Sequence, residues 1–227
     1  MKRVPETVGR WAAEARTMGK GIIFDLDGVI CSTDEYHYRA WKALADRLGI
    51  PFDRERNNLL RGVSRMDSLE IILQRSDKTY TAGEKAAFAE EKNTLYREYL
   101  KQMSPNDLSD EVRQTLDALR GAGYRMAIGS SSRNTPFILE QIGLAGYFDA
   151  VADGNGITHS KPHPEVFLKA AEMLGLAPED CVVVEDAHAG VQAAKAGGFR
   201  CAAMGDAKDD LQADWHLRGF GELKAVL

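Results

Sequence analysis

Residues 21–29 read Gly-Ile-Ile-Phe-Asp-Leu-Asp-Gly-Val, a short apolar run that ends in two aspartates and a glycine. An apolar run of this length predicts a buried strand. Side chains at positions i and i+2 of a strand share one face, so Asp25 and Asp27 should converge at its carboxyl end. Open α/β sheets bind their ligands at that end. Because Asp-x-Asp pairs also occur at solvated strand ends, this segment alone leaves the function open.

Strands alternate with helices in the last half of the chain. Apolar runs over 125–130, 181–185 and 200–204 predict strands, and amphipathic segments between them predict helices. This alternation is typical of a parallel, doubly wound sheet. The fold class expected from the sequence is therefore α/β, with a Rossmann-like core.

A long helical block separates the first strand from the others. Apolar residues between Ala40 and Leu48 form a helical stripe that Gly49 ends, and no convincing strand occurs between residues 33 and 104. We therefore predict a core domain over 1–32 and 105–227, with an all-helical cap domain over 33–104. Such an insertion would sit above the strand ends, as a lid over a site.

Composition excludes several classes of function. The net charge of −5 provides no basic stripe for nucleic acid, and no apolar run approaches the ~20 residues that span a bilayer. Three widely spaced cysteines and an N-terminus without a signal-peptide core indicate a cytoplasmic protein, which we expect to be a monomer. Two interpretations of residues 1–18 stay open. They form an accessory helix, or they are a tail if translation begins at Met18.

Polar residues follow three more predicted elements. Ser130, Ser131 and Ser132 lead into a helix N-terminus, which suits a phosphate, although the last two could simply cap the helix. Lys161 lies in a loop, where a lone lysine is usually solvated. Glu185-Asp186 ends a buried apolar strand, and two adjacent acids at such a position indicate a functional site more strongly than a lone loop lysine does.

Electrostatics links these segments. Two like charges 4 Å apart repel by ~4 kcal/mol at an effective dielectric of about 20, so four carboxylates and a phosphate need cations. Lys161 offers one, and oxygen ligands favour Mg²⁺ as the other. We expect one Mg²⁺ per chain, bound among Asp25, Asp27, Glu185 and Asp186. His159 and His163 flank Lys161 at a spacing that would suit a metal, but Pro162 between them favours a surface loop.

The ordered set Asp-x-Asp, Ser, Lys and acidic pair resembles the haloacid dehalogenase-like superfamily of phosphoryl-transfer enzymes. The resemblance implies that Asp25 is the nucleophile and Asp27 the general acid/base. It also implies that Ser130 binds phosphate, that Lys161 balances charge, and that Glu185 and Asp186 bind the metal.

Cap motifs at 33–41, 60–68 and 91–93 resemble the sugar-phosphate mutases of that superfamily. The resemblance implies a set of substrate-binding residues, namely Thr33, His37, Trp41, Gly62, Val63, Ser64, Arg65, Ser68, Lys92, Ser131, Ser132 and Asn134. A mutase must hold a bisphosphate in two orientations, and the planar fork of Arg65 suits the remote phosphate. The alternative for Arg65 is a surface residue paired with Asp67 or Glu70.

The expected function is a Mg²⁺-dependent mutase acting on a small sugar phosphate. It would interconvert β-D-glucose 1-phosphate and β-D-glucose 6-phosphate through phosphorylated Asp25, with β-glucose 1,6-bisphosphate as intermediate and activator. One alternative is a sugar-phosphate phosphatase with the same core chemistry. Another is a catalytically silent sensor, which the intact acidic set disfavours.

Overall fold

The computed structural model describes residues 21–227, so the segment predicted over 1–18 lies outside the described residues. In chain order the strands are β1 (Gly21–Phe24), β2 (Arg125–Gly129), β3 (Ala150–Ala152), β4 (Cys181–Glu185), β5 (Arg200–Ala203) and β6 (Trp215–His216). The helices are α1 (Asp34–Leu48), α2 (Arg54–Asn58), α3 (Arg65–Leu73), α4 (Ala82–Leu100), α5 (Asp110–Gly121), α6 (Thr135–Gln141), α7 (Glu165–Leu174), α8 (His188–Ala196) and α9 (Leu223–Val226).

Within residues 21–227, six strands form one parallel sheet in the order β3-β2-β1-β4-β5-β6. The first strand is central, and Phe24 pairs with Ile128 on one side and Val184 on the other. The α/β doubly wound fold predicted from the sequence is confirmed. Strands β3 and β6 were not predicted, because runs of three and two residues show no usable period.

Helices cover both faces of this sheet. Phe24 and Val184 pack with Leu116 of α5 on one face, while Ile23 and Val183 pack with Phe167 of α7 on the other. A strand covered on both faces is apolar throughout rather than alternating. This explains why the strands around β1 appear in the sequence as continuous apolar runs.

The cap is helical, as predicted, and has an apolar cluster of its own. Trp41 and Leu44 of α1 pack there with Leu69 and Ile72 of α3. Tyr96 of α4 belongs instead to the cluster of the core, so α4 fastens the cap to the sheet. Gly49 ends α1 with a φ of 71°, the left-handed conformation expected of a helix-ending glycine. The exact domain boundaries remain predictions.

Candidate active site

A cavity of about 1380 Å³ lies between the carboxyl ends of the strands and the cap helices. The sequence-predicted site residues that line it are Asp25, Asp27, His37, Trp41, Gly62, Val63, Ser64, Arg65, Ser68, Lys92, Ser130, Ser131, Ser132, Asn134, Lys161, Glu185 and Asp186. The remaining predicted site residue, Thr33, is fully buried next to the cavity, where it contacts Asp27. Segments far apart in the chain therefore meet at one place, as the strand-end argument requires.

One side of the cavity is formed by the strand ends of the core and includes Asp25, Lys161, Glu185 and Asp186; we call it the core wall. Lys161 is its cation. Its ammonium lies 2.5 Å from an Asp25 carboxylate oxygen and donates a second, very close hydrogen bond to Glu185. Burial alone would lower the pKa of Lys161, but the charges of Asp25 and Glu185 outweigh it and raise the pKa above its usual value. The solvated loop position common for a lone lysine does not apply here, since the side chain is buried.

Three carboxylates gather around this ammonium. Oxygens of Asp25, Glu185 and Asp186 all lie within 4.8 Å of one another. The N–H groups of Asp186 and Ala187 each donate to Glu185 at 2.9 Å, which holds its carboxylate in place. Burial and the charges of Glu185 and Asp25 raise the pKa of Asp186 to about 9. Oxygen donors this strained by mutual repulsion fit a hard cation such as Mg²⁺.

The backbone leaves room for these carboxylates. Gly28 has a φ of 85°, and a Cβ atom there would lie 2.0 Å from an Asp186 carboxylate oxygen. A Cβ at Gly190, in α8, would lie 1.9 Å from the Glu185 carboxylate carbon. Any side chain at either position would displace an acid, so the two glycines belong to the construction of the site.

Asp27 is turned away from the acidic cluster. Its carboxylate accepts hydrogen bonds from the backbone N–H of Thr33 at 2.6 Å and from the Thr33 hydroxyl at 2.8 Å. Burial raises the pKa of Asp27 to about 6, although the Thr33 bonds oppose the rise. The structure thus brings together three of the four acids expected to bind metal and places the fourth where a proton can be exchanged near neutral pH.

The serine loop after β2 is held by two hydrogen bonds between its own residues. The Ser130 hydroxyl accepts from the N–H of Ser132, and the Ser132 hydroxyl accepts from the N–H of Asn134, both at 3.2 Å. The Ser132 bond holds Asn134, the residue just before α6, and is not a cap on the first turn of that helix. In residues 21–227 the buried Ser131 hydroxyl has no hydrogen-bond partner. Ser131 is one of the residues that line the cavity.

The opposite side of the cavity is formed by the cap helices and includes His37, Arg65 and Lys92; we call it the cap wall. This wall carries a buried lysine. Lys92 is 2% exposed, and its ammonium lies 2.9 Å from His37 Nδ1 and above the rings of Trp41 and Tyr96. Across the described residues no carboxylate forms an ion pair with it. Burial, together with the charge of Arg65, lowers the pKa of Lys92 well below its usual value. This wall favours an incoming anion.

Arg65 lies beside this lysine rather than at the surface position considered as an alternative. Its guanidinium is 3.6 Å from the carboxylate of Glu90, whereas Asp67 accepts a bond from Ser64 and Glu70 pairs with Lys85. The alternative of a surface residue paired with Asp67 or Glu70 is therefore wrong. Burial, partly offset by Glu90, lowers the pKa of Arg65.

Arg133 is a cavity residue that the sequence argument missed. Its Nε donates to the Gly154 carbonyl at 3.2 Å, and its charge helps to lower the pKa of Arg65. A second positive charge close to the half-buried Arg65 marks a place suited to an anion. The signal was present in the sequence, because Arg133 lies between Ser132 and Asn134, which were both selected.

Comparison with known proteins places this arrangement in a family. The model for haloacid dehalogenase-like hydrolases matches residues 20–198. The chain belongs to that family. A beta-phosphoglucomutase of Bacillus subtilis is 39% identical, over 92% of this chain and 93% of the relative. The crystal structure of a beta-phosphoglucomutase from Clostridium difficile superposes with a TM-score of 0.86 at 35% identity, covering 91% of this chain and 93% of that one.

The resemblance predicted from the sequence is confirmed by these matches. Relatives in the haloacid dehalogenase-like family also include phosphatases. A fructose-1-phosphate phosphatase of Escherichia coli is 34% identical over 79% of this chain and 93% of its own length. The geometry of the cap wall must therefore discriminate between the two reactions. Among residues 21–227, no helix combines the length and the apolar content needed to cross a bilayer.

Proposed function

We propose that the protein is a Mg²⁺-dependent beta-phosphoglucomutase that interconverts β-D-glucose 1-phosphate and β-D-glucose 6-phosphate. The observation that carries the proposal is the buried ammonium of Lys92, unpaired by any described carboxylate, with Arg65 and Arg133 nearby and the acidic cluster on the other wall of the cavity. A substrate with two phosphates fits a cavity with two separate phosphate-attracting places. The choice of glucose is supported by beta-phosphoglucomutases among the similar proteins, such as those of Bacillus subtilis and Clostridium difficile.

Asp25 is the phosphoryl carrier in this proposal. The phosphorus–oxygen bond of phosphorylated Asp25 breaks as the sugar hydroxyl oxygen forms its bond to phosphorus, and Asp27 takes the hydroxyl proton. The product is β-glucose 1,6-bisphosphate, which then reverses its orientation in the cavity. Its other phosphoryl group then returns to Asp25, and Asp27 gives the proton back to the departing sugar oxygen. A pKa of about 6 suits a group that must act in both directions.

The core wall neutralises the transferred group. Asp25, Glu185 and Asp186 would hold Mg²⁺, which when bound supplies positive charge to the phosphoryl oxygens. Lys161 supplies a second positive charge from within hydrogen-bond distance of Asp25. The Ser130 hydroxyl and the N–H groups of its loop offer hydrogen bonds to the same oxygens. Thr33 holds Asp27 in the orientation needed for proton transfer.

The cap wall holds the remote phosphate and the sugar. Arg65 offers a planar pair of donors and Lys92 adds charge beside it, while Arg133 adds charge from the core loop after β2. Ser131, Ser132 and Asn134 approach from the core side. The other proposed sugar contacts are His37, Trp41, Gly62, Val63, Ser64 and Ser68, all of which line the cavity. Placement of a cap helix over the strand ends also excludes water, which would otherwise hydrolyse the aspartyl phosphate.

A sugar-phosphate phosphatase is the second candidate, favoured by the E. coli phosphatase among the relatives. The core wall would serve both reactions, since water can replace the sugar hydroxyl as acceptor. A phosphatase, however, needs no second phosphate site. The cations of the cap wall therefore favour the mutase.

A product assay distinguishes the two reactions. The protein is supplied with β-glucose 1-phosphate, Mg²⁺ and a trace of the 1,6-bisphosphate, and glucose 6-phosphate is measured against inorganic phosphate. We expect glucose 6-phosphate to be the main product, with no turnover after chelation of the metal. Inorganic phosphate as the main product would contradict the mutase proposal and support the phosphatase.

The proposal includes action in the cytoplasm as a monomer. All three cysteines, Cys31, Cys181 and Cys201, are buried and unpaired, as suits a reducing compartment. Size-exclusion chromatography with light scattering measures the oligomeric state.

A further inference from the structure

We propose that His159, His163 and Glu165 form a binding site for a Zn²⁺ ion, separate from the acidic cluster of the core wall. Ligand atoms of all three side chains lie within 4.8 Å of one another. From the sequence the two histidines were interpreted as surface-loop residues. The structure adds a third donor, because the first residue of α7 lies against both imidazoles.

Glu165 is the fixed member of the group. Its two carboxylate oxygens accept the backbone N–H groups of Thr158 and His159, each at 2.8 Å. The His159 Nδ1 atom lies 3.1 Å from one of these oxygens. A metal ion bound between that nitrogen and oxygen would replace this contact.

The two imidazoles are close and free to adjust. Their ring centres are 4.7 Å apart, and both residues are exposed. His163 Nδ1 accepts a long hydrogen bond of 3.3 Å from the N–H of Glu165, which a metal ion would replace. Donors around tetrahedral zinc lie about 3.4 Å apart, given bonds of ~2.0–2.1 Å. Rotation of the exposed rings toward the anchored carboxylate supplies the difference.

The donor set determines the kind of metal. Two imidazole nitrogens and one carboxylate oxygen suit Zn²⁺, with water in the open fourth position. Imidazole is a poor ligand for Mg²⁺, which prefers oxygen. The acidic cluster of Asp25, Glu185 and Asp186 offers only oxygen. The two clusters therefore select different ions, and the zinc site can be measured while Mg²⁺ is in excess.

The position of the site gives it a structural consequence. His159 and His163 lie two residues to either side of Lys161, the cation of the core wall. A zinc ion held by both and by Glu165 ties this loop to the beginning of α7. Zinc binding should therefore raise the melting temperature of the protein. The inference does not depend on which reaction the core wall performs.

Zinc titration in excess Mg²⁺, followed by calorimetry and by the visible absorption of Co²⁺ used in place of zinc, tests the site. We expect one Zn²⁺ bound per chain and a higher melting temperature. His159→Gln and His163→Gln should each bind at least about tenfold more weakly, since even outer partners of a metal ligand change affinity by ~10–100-fold. Circular dichroism of each variant checks that it is folded.

Two controls identify the residues responsible. His216→Gln removes another exposed histidine, whose ring contacts the Lys208 carbonyl, and should bind zinc like the parent. Asp186→Asn disables the acidic cluster and should also keep the zinc site. Equal affinity in the parent and in both His159→Gln and His163→Gln would overturn the proposal. Loss of binding in Asp186→Asn alone would place the zinc at the core wall and would equally overturn it.

Discussion

The two walls of the cavity carry opposite excess charge. On the core wall three carboxylates, those of Asp25, Glu185 and Asp186, surround the ammonium of Lys161. On the cap wall Lys92 is buried without an ion-paired carboxylate among the described residues. The first wall holds more carboxylates than its one ammonium can compensate, and on the second wall Lys92 has no carboxylate partner among the described residues. A metal ion on the first wall and a phosphate on the second would compensate both, and this difference supports the placement that we propose for each part of the ligand.

Both walls are strained in the ligand-free protein, in opposite directions. Burial and neighbouring acids raise the pKa of Asp186 to about 9, while burial and Arg65 lower the pKa of Lys92. Each group is pushed toward its neutral form because its charge has too little compensation. Such paired departures are typical of functional sites, where stability is sacrificed for binding. Four substitutions test this comparison.

Asp25→Asn should have the largest effect. Removal of the nucleophile should lower mutase turnover by roughly 10⁴-fold or more, as loss of a nucleophile does in other enzymes. The coupled assay for glucose 6-phosphate measures it. Turnover equal to that of the parent would contradict the assignment of Asp25 as phosphoryl carrier.

Asp27→Asn should change the pH dependence of stability. The folded-state pKa is about 6 against an ordinary 3.8, so the folded protein favours the protonated acid. That stabilising contribution is complete below about pH 4 and is lost as the pH rises through about 6. A shift of this size corresponds to roughly 3 kcal/mol. The neutral amide avoids the loss, so urea denaturation of the metal-free proteins should show a relative gain for the variant above about pH 7.

Asp46→Asn is the control for this measurement. It removes an exposed carboxylate on α1 that pairs with Lys42, and its stability relative to the parent should vary far less with pH. If Asp27→Asn followed the same weak pH dependence, burial would not be what raises the pKa of Asp27.

Arg65→Ala should separate the two walls kinetically. A hydrogen bond to a charged group contributes about 1.5–3 kcal/mol, so mutase activity should fall by roughly 10–150-fold. Hydrolysis of a simple aryl phosphate, which has no remote phosphate, should fall much less. Arg47→Ala is the control, since that arginine pairs with Glu91 on the exposed side of the cap. Equal losses on both substrates would show that Arg65 does not bind the remote phosphate.

Lys92→Met should have the smallest effect, and it should be stabilising. A lysine with a lowered pKa loses stability as the pH falls from its ordinary value toward the depressed one, and a thioether has no such loss. We expect the free energy of unfolding without ligand to rise by about 1–2 kcal/mol near pH 7. Sulfate should stabilise the parent more than the variant. Lys42→Met, an exposed control, should leave the free energy of unfolding nearly unchanged. A clear loss of stability in Lys92→Met would mean that the contacts of Lys92 with Trp41 and Tyr96 stabilise the protein more than the burial of its amine destabilises it.

Much of the fold follows from local sequence pattern. The apolar runs that became β1, β2, β4 and β5 were long enough to show a strand, and Gly49 marked the end of α1. The short elements β3, β6 and α2 were missed, because a few residues give no reliable period. Asp25, Lys161 and Glu185 could be proposed together only because strand ends of a parallel sheet meet at one edge.

The sequence by itself determined which chemical groups stand at the strand ends and that a helical cap would lie near them. Tertiary structure alone decided how each charge is compensated. It paired Arg65 with Glu90, turned Asp27 toward Thr33, buried Lys92 and brought Glu165 against two histidines. The physical reason is that burial and charge pairing depend on contacts between distant segments, such as the 136 residues that separate Lys161 from Asp25. Local pattern carries no record of such distances.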